Sequence, residues 1–162
     1  KMRQEVVYQK GGLSIVNDSC ATSPDGTIAA IERFRKIGDV VLITGGTDKE
    51  LEFANLARVI KKHIPITPPT PHLILLEGTA TTKLEEMLLH TPMVSRRGLD
   101  IKQQKDLDSC VVEAFRVAKV LAKKSKKKTT ILFSPGAASF EKFLHEFDRG
   151  EQFNKLVKKY TK

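Results

Sequence analysis

The chain has 162 residues, 40% of them hydrophobic and 29% charged, an ordinary globular composition long enough for one well-buried core. A single domain over residues 1–162 is expected. No apolar run approaches the ~20 residues that span a bilayer, and Lys1-Met2-Arg3-Gln4-Glu5 has no apolar signal segment, so no membrane partner and a cytoplasmic location are expected.

In chain order, Val6 to Gln9 and Leu13 to Asn17 read as strands joined by Lys10-Gly11-Gly12, a glycine hairpin turn. Ser23-Pro24 then opens a helix, with serine as cap and proline in the first turn, and Ile28, Ile31, Phe34 and Ile37 as its apolar stripe before Gly38 stops it. Val40 to Ile43 is a continuous apolar run, the pattern of a strand buried on both faces. Phe53, Leu56, Ala57, Ile60 and Ile64 mark a second helix, broken by the proline-rich stretch after His63, and Leu73 to Leu76 is the next strand.

Lys83 to Leu89 reads as a short helix and Met93 to Gln104 as an irregular loop. Leu107, Val111, Ala114, Ala118 and Leu121 define the clearest amphipathic helix, and Thr129 to Phe133 is a β-branched strand. Helical spacing returns at Phe140, Phe143, Leu144 and Phe147, and after Gly150 at Phe153, Leu156, Val157 and Tyr160. This alternation predicts an α/β, Rossmann-like fold: a mostly parallel sheet with helices on both faces, preceded by a short N-terminal hairpin.

The formal charge of +9 admits a nucleic-acid partner, but six lysines fall between Lys119 and Lys128, where a helix ends and no aromatic residue is interleaved. No specific nucleic-acid partner is expected. Cys20 and Cys110 lack metal-ligand spacing and are too few for a disulfide framework, and no His or Cys/His cluster suggests a metal.

Two segments lie where a strand hands over to a helix: Asn17-Asp18-Ser19-Cys20-Ala21-Thr22 and Ser134 to Phe140. A third turn, Gly45-Gly46-Thr47-Asp48-Lys49, falls at the same edge, where ligands bind open α/β sheets. The turn has the spacing of neither a P-loop nor a dinucleotide fingerprint. By residue type alone, Asp18, Ser19 and Thr22 suit helix caps and Lys49 suits a solvated turn. The place of Lys49 at the mouth of the sheet also suits its ammonium to pairing with a carboxylate.

In order and spacing these three segments resemble the third, C-terminal domain of the Mur ligases. The matched patterns are N-D-S-x-A-T-x-P from Asn17 to Pro24, G-G-x-x-K from Gly45 to Lys49, and S-P-x-x-x-S-F-x-x-F from Ser134 to Phe143, followed by Arg149-Gly150 before a closing helix. The ending and the glycine turn favour the MurD-like members, which add D-glutamate to UDP-N-acetylmuramoyl-L-alanine through an acyl phosphate. The resemblance implies D-glutamate binding by Lys49, Thr22, Ser139 and Phe140. It implies a nucleotide-side role for Arg3 and Asp18, no catalytic residue within these 162 residues, and ATP and magnesium held mainly by a central domain not represented here. The chain so read is an excised domain without ligase activity of its own. Cys20 stands where the family often has lysine, and Thr47 where it often has an acid. Another Mur ligase or a folylpolyglutamate synthase domain is the nearest competing reading, and a non-catalytic basic α/β module that binds RNA or another polyanion the more distant one.

Overall fold

A computed structural model describes residues 1–90, 101 and 103–162. In chain order the elements are β1 (Glu5–Lys10), β2 (Leu13–Asn17), α1 (Pro24–Phe34), β3 (Asp39–Thr44), α2 (Ala54–His63), β4 (Leu73–Leu76), α3 (Thr79–Leu89), β5 (Gln103–Gln104), α4 (Leu107–Lys124), β6 (Thr129–Phe133) and α5 (Glu146–Tyr160). The strands form one sheet in the order β1-β2-β6-β3-β4-β5, in which only the β1–β2 hairpin is antiparallel. The expected α/β class and the leading hairpin are both present. Among the described residues no helix is long and apolar enough to cross a membrane.

The continuous apolar strands follow from burial on both faces. Along β3, Val40 and Leu42 join a core layer with Ile31, Leu56, Ile60 and Leu84, from α1, α2 and α3. Val41 and Ile43 point the other way, into a layer with Val111, Ala114 and Val117 of α4 and Phe153 of α5. Successive side chains alternate across a strand, so only an unbroken hydrophobic run can fill both layers. In α4 the Asp106 carboxylate caps the Ser109 amide at 2.7 Å, and Cys110 is fully buried, its thiol pushed well above the usual range by desolvation.

Several expectations change. Ser23 sits at the cap position of α1, but its side chain makes no capping bond. Ile37 lies beyond α1 and is 51% exposed. The third helix starts at Thr79 rather than Lys83, its first turn built from threonines that the apolar pattern could not register. Gln103–Gln104 pairs with β4, a polar two-residue strand without hydrophobic signal; the remainder of the expected 93–104 loop, apart from Ile101, lies outside the described residues. The apolar residues from 140 to 147 form no buried helical stripe. Phe140, Leu144 and Phe147 are exposed, and α5 opens only at Glu146, where the His145 ring nitrogen accepts the Asp148 amide at 3.0 Å. Arg149 and Gly150 therefore lie inside the closing helix, not before it.

Gly38 is required by close approach. A Cβ there would stand 2.0 Å from the Lys128 carbonyl oxygen, which receives the Asp39 amide at 2.9 Å as β3 begins beside β6. Gly38→Ala is expected to lower stability by about 1–3 kcal/mol in urea unfolding, whereas Ile37→Thr, at the neighbouring exposed position, should stay within about 0.5 kcal/mol of wild type.

Candidate functional site

The carboxyl ends of β2, β6, β3 and β4 lie side by side, and the turns that follow them are stitched into one polar edge. The Gly136 amide donates to the Ala21 carbonyl at 2.9 Å, joining the turn after β6 to the turn after β2. Thr47 and Ala138 exchange two main-chain bonds of 3.0 Å, joining the turns after β3 and β6. Gly45 has φ +116°, and an added Cβ would lie 2.3 Å from Thr81 Oγ1 and 2.5 Å from the Leu76 carbonyl, so only glycine lets the turn lie against the end of β4. Thr81 then donates to the Leu76 carbonyl while accepting the Gly46 amide at 3.1 Å.

Beneath the edge sits Arg149, fully buried in the first turn of α5. Its Nε donates to Ser19 Oγ at 3.1 Å and one terminal nitrogen to the Ser19 carbonyl at 2.8 Å. The other terminal nitrogen donates to the carbonyls of Ala137 and Ala138 at 3.1 and 3.0 Å. The guanidinium thus clamps the first turn to the third. Ser19 Oγ donates in turn to the Glu146 carbonyl at 2.7 Å, and Asn17 Nδ2 donates to the Gly150 carbonyl at 2.9 Å and to Asn154 at 2.8 Å. Burial lowers the pKa of Arg149 to about 10, against the charge of Glu146, which leaves it charged at neutral pH with its hydrogen bonds made to carbonyl and hydroxyl oxygens. A cation in a first helical turn opposes the helix dipole, so this position in α5 marks an arginine with another task.

The residues singled out from the sequence fall into two groups. Asp18 is buried and spent. It accepts the Gln4 amide at 2.9 Å and the Ser134 hydroxyl at 2.7 Å, and it caps nothing. Ser134 also bonds Thr27, at 2.9 Å between hydroxyls. Burial pushes the Asp18 carboxyl above its usual range, against the Ser134 and Gln4 bonds and the charge of Arg3. Ser19 is likewise structural.

By contrast, Thr22 Oγ1, Lys49 Nζ, Ser139 Oγ and the exposed Arg3 guanidinium make no hydrogen bond or salt bridge among the described residues. Lys49 Nζ stands 5.3 Å from the ring centroid of the exposed Phe140, a cation–π distance that keeps the ammonium over the turn. Its neighbour Asp48 does not neutralise it. That carboxylate pairs with Lys83 at 2.6 Å and accepts the Leu51 amide at 3.2 Å, and the Lys83 bond holds its pKa below the usual range.

Thr47, in the place of a common acid, uses its hydroxyl to accept the Glu141 amide at 3.0 Å, and Glu141 reaches Thr79 Oγ1 at 2.8 Å. Glu141, Thr79 and Thr81 were invisible to sequence reasoning because their contacts with Thr47, Asp48 and Gly46 are made between segments distant in the chain. Cys20 is half-buried, its thiol raised by burial, so it adds no cation to the edge. The described residues hold no group of three His, Cys, Asp or Glu side chains able to bind a metal ion.

A mostly parallel sheet whose crosslinked turns leave uncommitted ammonium and hydroxyl groups defines an α/β domain with a polar edge at the carboxyl ends of its strands. No protein-family model matches the chain. It is 40% identical over 156 residues, 96% of its length, to the UDP-N-acetylmuramoylalanine–D-glutamate ligase of Treponema pallidum, and 37% identical over 160 residues to that of a Roseiflexus species. The ligase of Borreliella burgdorferi is 32% identical over 156 residues. Among solved structures it is similar to the MurF ligase of Thermotoga maritima in complex with ADP, at 18% identity and a TM-score of 0.49, over 99% of this chain and 32% of that one. The chain belongs to the Mur ligase family, matching the C-terminal domain region. It spans 25% and 30% of the length of the Treponema and Roseiflexus relatives.

Two substitutions separate the scaffold from the free groups. Arg149→Ala leaves buried carbonyls without donors and is expected to cost on the order of 3–5 kcal/mol in urea unfolding, with Arg149→Lys recovering less than half because an ammonium cannot fork across two turns. Asp18→Asn preserves both contacts: its amide oxygen accepts from Gln4 and its nitrogen donates to Ser134, whose proton turns to Thr27. A carboxyl whose folded pKa is raised stabilises fully below its unfolded value, 3.8, and loses that contribution as pH rises through the folded value. Thermal melts should therefore show the variant at least as stable as wild type near neutrality, with the pH dependence just above 3.8 flattened.

Proposed function

We propose that this domain binds D-glutamate for the ligase that joins it to UDP-N-acetylmuramoyl-L-alanine, acting in the cytoplasm on a peptidoglycan precursor. One observation carries the reading. Thr22, Lys49 and Ser139 keep uncommitted polar groups on three crosslinked turns, in a chain whose relatives bear that ligase name. Amide formation through an acyl phosphate needs a neutral amine held in line. The domain's share is to fix both carboxylates of the amino acid so that the amine points outward. Lys49 suits one carboxylate as a charge-assisted donor, and the hydroxyls of Thr22 and Ser139 can donate to the other while Phe140 walls the site.

In this reading ATP and magnesium are held mainly by a central domain outside these residues, as the resemblance to the Mur ligases implies. The chain itself is then one domain of a longer enzyme and inactive alone. Arg3, exposed at the start of the hairpin, is the nucleotide-side cation in this reading. Asp18 acts on that side only through the loop it holds.

Grafting these residues in place of the matching region of the Treponema ligase is expected to give an active chimaera. In it, Lys49→Ala should raise the KM for D-glutamate about 10- to 100-fold, the loss of one charge-assisted hydrogen bond. The KM values for ATP and the UDP-sugar should hardly change, nor should the melting temperature, since the lysine is exposed. Unchanged D-glutamate dependence in a folded, active chimaera would remove the assignment.

A further inference from the structure

At the opposite end of the sheet, where β3, β4 and β6 begin, lies a cavity of about 540 Å³ that the proposed ligase chemistry does not use. Lys36 reaches it from the loop after α1, Lys62 from the last turn of α2, and Lys127 from the segment before β6. None of the three forms a salt bridge among the described residues. Arg35 also lines the cavity but is bound at 2.6 Å to Glu32, which lies 3.2 Å from His63 Nε2 as well. Asp39 is the one carboxylate in the wall.

Lysines near helix C-termini are accounted for by the helix dipoles. His72 is not. It is 8% exposed, and its Nδ1 is buried without a hydrogen-bond partner. The main chain of His72 cannot swing away, because its amide donates to Pro65 at 2.7 Å and its carbonyl accepts from Leu42 at 2.8 Å. Burial lowers the imidazole pKa, against the Asp39 charge and a backbone hydrogen bond to Val40. With the ring neutral and its proton on Nε2, the unpartnered Nδ1 is a bare acceptor. The wall therefore asks for two things at once: negative charge for the lysines and an acidic hydrogen for Nδ1.

We propose that this cavity is a second, separate anion site that takes inorganic phosphate, with oxygens toward Lys36, Lys62 and Lys127 and the P–OH donating to His72 Nδ1. Sulfate has similar size and charge near neutrality but no proton to give, so it supplies the discriminating control. Both anions also stabilise folded chains by exclusion from their surfaces, and the difference between them is the readout.

The experiment is thermal unfolding of the 162-residue chain near neutral pH with phosphate or sulfate at matched ionic strength, together with the ring-nitrogen resonances of His72. Phosphate should raise the melting temperature more than sulfate and shift the His72 ring signals. Lys62→Glu combined with Lys127→Glu should weaken the phosphate response at least about tenfold, and His72→Phe should bring phosphate down to the sulfate response. Equal responses to the two anions in the wild-type chain, or a phosphate response that survives the charge reversal, would overturn the proposal. If His72→Phe does not fold, the wild-type ring resonances decide: unmoved signals at saturating phosphate are equally fatal. Neither result bears on D-glutamate binding at the other edge.

Discussion

A guanidinium that touches no carboxylate holds the candidate site together. Arg149 reaches from the last helix to Ser19 on one turn and to Ala137 and Ala138 on another, and it is the donor to the main-chain carbonyls of Ser19 and Ala137. A buried unpaired carbonyl costs as much as a lost hydrogen bond, so these turns can lie against the sheet only while the arginine is present. Planarity matters as much as charge. A fork of fixed directions sets the separation of the turns, which a flexible ammonium would leave loose.

Around that clamp the edge separates groups that build from groups that wait. Asp18, Ser19, Thr47, Thr81 and Asp48 are all engaged within the protein. Lys49 is left as an uncompensated cation because Asp48, one residue away, belongs to Lys83. Such a division is what a binding surface requires, since a ligand then meets donors that surrender no internal bond on its arrival. The aromatic face of Phe140 restrains the lysine without neutralising it.

What could be read from the sequence follows the range of the interactions involved. Val40 to Ile43 and the stripe of α4 were legible because burial in a two-sided core leaves a periodic trace in the residues themselves. Gln103–Gln104 left none, being polar, short and at the sheet edge. The apolar residues between 140 and 147 carried a helical spacing that burial does not support, since Phe140, Leu144 and Phe147 face solvent. For the site, spacing alone could not tell a capping Asp18 from one locked against Ser134, nor a solvated Lys49 from a ligand-seeking one. Resemblance brought those residues forward, and the division between engaged and free became visible only when the turns were placed together.

The clamp also orders events in time. Ser19 and Arg149 are separated by 130 positions, so the first turn is synthesised long before the helix that secures it. While the chain grows from its amino end, the β1–β2 hairpin and α1 can form on local contacts. The strand that fills the middle of the sheet, β6, comes late, between β2 and β3. The edge is therefore completed only once α5 has been made, and a nascent chain lacking that helix would carry the sequence of the candidate site without its shape.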